Sequence, residues 1–146
     1  MTVQVEVLTE VTDEVVEAFG RLLPQLSGSA PPLDQAALEK VVSSPAITVL
    51  LARSAGVIAG SLTLAMFPLP TGIRAWIEDV VVDESARGQG AGGILILAAL
   101  RRAEAAGART VDLTSRPSRA AAGRLYERAG FTLRESRLYR YALGRG

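Results

Sequence analysis

Gly88, Gly90 and Gly93 lie in the stretch Ala86-Arg-Gly-Gln-Gly-Ala-Gly-Gly93, directly ahead of an apolar run of helical character. Glycines so placed let backbone N–H groups approach a phosphate closely, and a helix opening there adds its positive end. Arg87 sets a cation beside them. The spacing formally satisfies the dinucleotide fingerprint, with the strand-like Trp76-Ile-Glu-Asp-Val-Val-Val82 before it and Asp112 beyond it. Its placement argues otherwise. In a dinucleotide fold the strand runs almost directly into the first glycine, whereas Asp83 to Arg87 intervene here. Asp112 lies among apolar neighbours, and only 53 residues follow Gly93, too few for the rest of a doubly wound sheet. No Lys-Ser or Lys-Thr follows the glycines, which excludes a P-loop. An anion site for another phosphate remains, against the plain alternative of a turn that packs a helix on a strand.

The residues that are missing narrow the chemistry further. Cysteine and histidine are both absent, so a disulfide framework, a thiolate metal site, a cysteine nucleophile and a Ser-His-Asp triad are all excluded. Any catalytic acid or base is Asp, Glu, Tyr, Lys, a terminus or water, and no metal is expected. Sixteen basic residues balance fifteen acidic ones, so charge gives no reason to expect nucleic acid or anionic lipid. The arginines between Arg116 and Arg145 read as a solvated face. The first residues lack a signal-peptide pattern, and the longest apolar run, Ile94 to Leu100, falls far short of a bilayer span. A soluble, cytoplasmic protein of a single domain over residues 1–146 is the expectation.

The elements that must hold the glycine loop follow from periodicity. Thr2 to Leu8 alternates as a strand, and Thr12 opens a helix to about Leu26. Leu33 to Val42 reads as a second helix. Ile47 to Arg53 and Val57 to Phe67 are strands about a Ser54-Ala55-Gly56 turn, which predicts a hairpin. Pro68 to Gly72 reads as a loop and Ile73 to Val82 as the fourth strand. A helix from about Gly90 to Ala106 ends at Gly107, and Arg109 to Ser115 is a fifth strand. Pro117 and Ser118 start a last helix, stopped by Gly130, and Phe131 to Leu143 finishes as one or two strands. The class is α/β (α+β): a mixed sheet with helices on both faces.

The segment Val80 to Leu95 resembles the acetyl-coenzyme A signature of the GNAT acetyltransferase superfamily, matched by Arg87 or Gln89 with Gly88, Gly90 and Gly92. Val111 to Phe131 is similar to that family's fifth strand and following helix, closing on Leu-Tyr-Glu-x-x-Gly-Phe, and Trp76 to Val82 to its fourth strand. The resemblance implies a GNAT-like sheet splayed between the fourth and fifth strands, with the pantetheine arm of acetyl-CoA lying in the gap beside Val80, Val81 and Val82. Its pyrophosphate would rest on the N–H groups of Gly88, Gln89, Gly90, Ala91, Gly92 and Gly93, with Arg87 nearby and Ser118 and Arg119 flanking the arm. It also implies an amine acceptor and direct transfer, without a covalent enzyme intermediate. A homodimer accords with the family's frequent dimerisation, though the sequence leaves the oligomeric state open.

The implied chemistry needs a base for the ammonium, a donor for the oxyanion and an acid for the thiolate. Tyr126 stands where the family often carries the acid; its phenol, near pKa ~10 against ~8.5 for a thiol, suits the task. The alternative is that its ring only packs on the sheet. Glu78 stands where relatives often have the base. Asp79 points to the opposite face by strand alternation unless a bulge intervenes. A backbone N–H near Val80 is the expected oxyanion donor. Two departures bear on the proton path: Thr114 stands where some relatives have a base or amine-binding acid, and Ser118-Arg119 where many have Asn. Trp76, Met66 and Phe67 are candidates for the acceptor pocket, with ordinary packing as the alternative. An acetyl-CoA sensor without turnover is the competing function.

Overall fold

The computed structural model describes residues 2–29, 31, 33–116 and 119–144. Its elements are β1 (Val3–Val7), α1 (Asp13–Leu26), α2 (Gln35–Ser43), β2 (Ile47–Ser54), β3 (Val57–Leu69), β4 (Gly72–Val82), a 3-10 turn (Glu84–Ala86), α3 (Ala91–Ala105), β5 (Thr110–Asp112) and α4 (Ala120–Arg128). The sheet runs in the order β1-β2-β3-β4-β5. The first four strands are antiparallel neighbours, and β5 joins β4 in parallel. Helices cover both faces, as the pattern predicts.

Local chemistry explains the boundaries. Thr12 caps α1 by accepting the Val15 N–H at 3.3 Å, and Asp34 caps α2 by accepting from Ala37 at 2.8 Å. The β2–β3 turn places Ala55 and Gly56 at φ 53° and 80°, the double positive φ of a two-residue type I′ hairpin. The expected loop after Phe67 is shorter than its prolines suggest. Pro68 and Leu69 stay in the ladder opposite Ile73 and Gly72, leaving a tight turn.

Two cores sandwich the sheet. On one face Val15, Ala18, Phe19 and Leu22 of α1 and Leu38 of α2 pack on Val49, Leu51, Ile58 and Val81. On the other, Ala91, Leu95, Ile96, Ala99 and Ala103 of α3 pack on Leu50, Leu62, Leu64, Ala75 and Ile77. The alanines bring α3 close to the strands, while Leu95 and Ile96, fully buried, each contribute roughly 1.5–3 kcal/mol of burial. This rigid seat holds the N-terminal end of α3 against the end of β4.

Two expectations need correction. Only Thr110–Asp112 of the expected fifth strand is in the ladder, because β4 diverges from the chain beyond Asp112. Phe131 to Leu143 forms no strand. Alternation makes that stretch competent to pair, but pairing also needs an edge within reach, and Thr132 to Leu143 is exposed throughout.

Candidate active site

Strand β4 pairs with β5 only at Arg74–Thr110, Ala75–Val111 and Trp76–Asp112. From Ile77 to Val82 it continues alone on that side, among the described residues, while β3 still pairs with it on the other. The sheet is therefore splayed between β4 and β5, and the backbone of Ile77 to Val82 borders the gap.

A bulge sits at the mouth of this gap. Thr63 pairs with Glu78 and Ser61 with Val81, so Asp79 and Val80 together face Leu62. Asp79 takes φ 54°, a left-handed conformation uncommon outside glycine. The extra residue of a bulge leaves backbone groups outside the ladder. The bulge also resets the alternation. Val80 and Val82 pack toward α3, whereas Val81 enters the α1–α2 core. The simple alternation that sends Asp79 opposite Glu78 therefore does not apply, and both carboxylates are exposed.

Register places Glu78 on the α1–α2 face. It lies across from Thr63, which lies across from the buried Val49 of that core. Trp76 shares the face, and its indole N–H donates to Glu78 Oε1 at 2.5 Å. Phe67 is two residues along β3 from Ala65, the partner of Trp76, and so lies on the same face. Met66 pairs with Ala75 and packs with the α3 core, which separates it from the other two residues expected to line an acceptor pocket. A hollow of about 330 Å³ beside Met66, lined also by Arg102, Ala105 and Ala106, opens at the C-terminal end of α3, ~20 Å of helix away from the glycine loop.

Asp83 starts the glycine loop by capping the 3-10 turn, accepting from the backbone N–H and the hydroxyl of Ser85, both at 3.1 Å. Those bonds, together with Arg21 Nη1 at 2.7 Å, hold its carboxyl below the usual carboxylate range. Gln25 of α1 accepts the Glu84 N–H at 2.9 Å. Gly88 and Gly90 then take φ 86° and 81°. A Cβ at either would meet nothing within 4 Å, so backbone conformation rather than crowding calls for glycine there. Gly90 is the N-cap of α3 and offers no side-chain acceptor, so the first-turn N–H groups of Ala91, Gly92 and Gly93 point outward. Gly92 has a packing role as well. A Cβ there would stand 3.2 Å from Leu125, so its absence lets α4 rest on the start of α3.

Gln89 is fixed from an unexpected direction. The hydroxyl of Ser54, buried at the β2–β3 hairpin, donates to Gln89 Oε1 at 2.5 Å, which leaves the amide NH₂ as the group Gln89 can offer outward. Arg87 is exposed beside it.

Tyr126 of α4 is half-buried against the α3-side core, its ring edge-on to Phe131 at a centroid distance of 6.0 Å. Burial pushes its phenol above the ordinary range, with Arg119 partly opposing. Ser118 lies outside the described residues; Arg119 caps α4 without a side-chain bond. Arg21, Gln25, Ser54 and Asp83 are residues that the sequence reading missed. The Asp83-x-Ser85 cap carried a local signal, but the contacts of Arg21 to Asp83 and Ser54 to Gln89 span 62 and 35 residues.

A splayed mixed sheet with a glycine loop at the head of the helix after the fourth strand defines an acyltransferase of the acetyl-CoA-using kind. The chain belongs to the Acetyltransferase (GNAT) family, whose sequence pattern matches residues 10–131. An acetyltransferase of Trypanosoma brucei is similar at 30% identity and TM-score 0.78, over 97% of this chain and 100% of that one. A Bacillus halodurans C-125 protein described as a transcriptional regulator is 25% identical, with TM-score 0.81 over 97% and 100% of the two chains. An aminoglycoside acetyltransferase from an uncultured soil metagenomic sample, in complex with trehalose, shares the fold at 21% identity and TM-score 0.80, over 98% and 97%. A comparison with curated proteins found no match. No helix among the described residues is long and apolar enough to cross a membrane.

Proposed function

We propose that the protein moves an acetyl group from acetyl-CoA directly to a primary amine of a small molecule, amino acid or peptide. The observation that carries this reading is the coincidence of the β4–β5 gap, the Asp79 bulge and the positive-φ glycines of the loop at the same end of β4. The loop suits a pyrophosphate: the first-turn N–H groups and dipole of α3 lie beside Arg87, and the space around Gly88 and Gly90 is open. Acetyl-CoA, when bound, supplies an acyl group activated as a thioester.

This chain's residues do the rest. Glu78, directly or through water, takes a proton from the acceptor's ammonium so that the neutral nitrogen can attack the acyl carbon. A backbone N–H near Val80 donates to the carbonyl oxygen as it becomes negative, a bond of the kind worth roughly 2.7–4 kcal/mol in a transition state. As the new C–N bond forms and the C–S bond breaks, Tyr126 gives its proton to the departing sulfur; the second proton of the attacking nitrogen passes to water as the amide forms, and water reprotonates the phenolate. The raised phenol pKa keeps that proton in place at neutral pH. A cytoplasmic location suits such a reaction.

The test is release of free CoA thiol from acetyl-CoA in the presence of an amine panel that includes an aminoglycoside, a hexosamine, amino acids and a short peptide. With no cysteine in the chain, the enzyme contributes no thiol background. Amine-dependent release supports transfer; binding of acetyl-CoA with no release by any amine would instead indicate a sensor, which has no use for Tyr126 or Glu78.

A further inference from the structure

Trp76 is the last residue of β4 that the sheet holds on both sides. It faces Ala65 of β3 and Asp112 of β5, and beyond it, among the described residues, β4 keeps β3 alone. Glu78 stands two residues into that singly paired stretch, directly before the bulge at Asp79. Its carboxylate is exposed at the mouth of the gap. A strand fixes the direction of such a side chain at its Cβ but leaves the outer torsions a choice of rotamers. A base in this place needs a second group to hold it.

Residues two apart on a strand share a face, and the only tryptophan of the chain uses that spacing. Its indole N–H reaches along β4 and donates to Glu78 Oε1 at 2.5 Å. A bond this exposed adds little to folding, because water would satisfy either partner. Its effect is on orientation. The half-buried ring belongs to the doubly paired part of the sheet and lends that rigidity to one carboxylate oxygen. Asp112, the other carboxylate beside Trp76, is engaged elsewhere, with Arg74 Nε 3.8 Å from its Oδ2. Glu78 has no ion-pair partner among the described residues, so its charge is open to an ammonium.

We infer that Trp76 is a positioning residue: its indole N–H holds Glu78 Oε1 so that Oε2 is set to take the proton of the acceptor's ammonium. The inference rests on the reading of Glu78 as base and names the group that sets that base. No bond forms or breaks at the indole. The proton leaves the ammonium nitrogen for Oε2 and passes from there to water. A carboxylate ordered before the acceptor arrives spares the reaction the entropy of ordering it in the transition state.

The test is a double-mutant cycle of Trp76→Phe and Glu78→Gln, followed as kcat, KM and pH–rate profile with an amine that the protein acetylates. Trp76→Phe keeps an aromatic ring in place and removes the donor. Its kcat should fall about 5- to 10-fold with KM for the amine little changed. The deficit should shrink as pH nears the amine's own pKa, where the nitrogen is already neutral. In the Glu78→Gln background the same change should cost roughly twofold or less, since no base is left to position. A second readout needs neither turnover nor a Trp76 variant: Glu78→Ala should shift the fluorescence of Trp76, the only indole in the chain. An unchanged kcat in Trp76→Phe, a deficit equal at every pH, additive losses in the cycle, or fluorescence unmoved by Glu78→Ala would each overturn the inference. A raised KM with kcat unchanged would overturn it too, and would make Trp76 part of the acceptor's seat. Parent-like kcat/KM in Glu78→Gln is the separate result that removes the base itself, and the inference with it.

Discussion

Glu78 and Tyr126 stand on opposite faces of the sheet: Glu78 shares the α1–α2 face with Trp76, and Tyr126 packs on the α3 side. The two faces meet where β4 and β5 part. On the proposed roles, with Glu78 as base and Tyr126 as acid, the two reactants would meet in the gap, the amine from the α1–α2 face and the thioester from the α3–α4 face. The assignments predict separable kinetic signatures.

Glu78→Gln keeps the shape of the side chain and removes the base. An alkylamine acceptor is mostly protonated at pH 7, so kcat/KM should be depressed most near neutrality and recover partly as pH approaches the amine's own pKa. The check is a pair of pH–rate profiles, one for Glu78→Gln and one for Asp79→Asn. With the bulge at Asp79 the two carboxylates are not separated by alternation, so a larger loss for Asp79→Asn would move the base one residue along.

Tyr126→Phe keeps the ring against Phe131 and removes only the hydroxyl. The expected outcome is a fall in kcat of roughly 10- to 1000-fold with CoA affinity little changed. Arg119 favours the ionised phenol, so Arg119→Ala should raise the phenol pKa further and shift the alkaline limb of kcat to higher pH. An unchanged kcat in Tyr126→Phe would leave the residue a packing role.

Ser54→Ala tests the orientation of Gln89. Loss of the 2.5 Å bond removes about 1 kcal/mol of hydrogen bonding, so CoA affinity should weaken by roughly fivefold while the fold survives. Calorimetric titration with CoA reads this directly.

Asp83 links the loop to stability and pH. Its carboxyl pKa is lowered in the folded chain, first by the Ser85 N–H and then by the Ser85 hydroxyl and Arg21. That contribution is therefore complete above the ordinary Asp value of ~3.9 and lost as pH falls through the lower folded value. Asp83→Ala should cost on the order of 1 kcal/mol at pH 7. The difference in Tm from the parent protein should shrink below about pH 4.

Much of this site was legible before any coordinates. The glycines, the strand ahead of them and the Leu125–Tyr126 helix are local signals of composition and periodicity, although that helix begins at Ala120 and not at Pro117 and Ser118. The Asp79 bulge was not legible, because an inserted residue in a strand leaves the apolar count unchanged and shows only as a shift in register against β3. Arg21 and Ser54 were hidden for a related reason. Their partners are set by how α1 and the β2–β3 hairpin dock at the end of β4, which no local pattern encodes. The C-terminal strands were misread because alternation reports what a segment can pair with, not whether its own chain brings an edge to it.

The most direct test of the central claim, that the loop from Gly88 to Gly93 binds the pyrophosphate of acetyl-CoA, is the ligand-dependent melting temperature of Gly90→Asp and Gly90→Asn. Both side chains tolerate the left-handed backbone at this position better than most, and they differ in charge. In the parent protein, CoA at a hundred times its Kd should stabilise the fold by about 2.7 kcal/mol, a rise of several degrees. Gly90→Asp should lose that rise while keeping a cooperative melt without ligand, and Gly90→Asn should keep more of it. A parent protein that NAD stabilises and CoA does not, or a Gly90→Asp variant with the full CoA shift, would contradict the account.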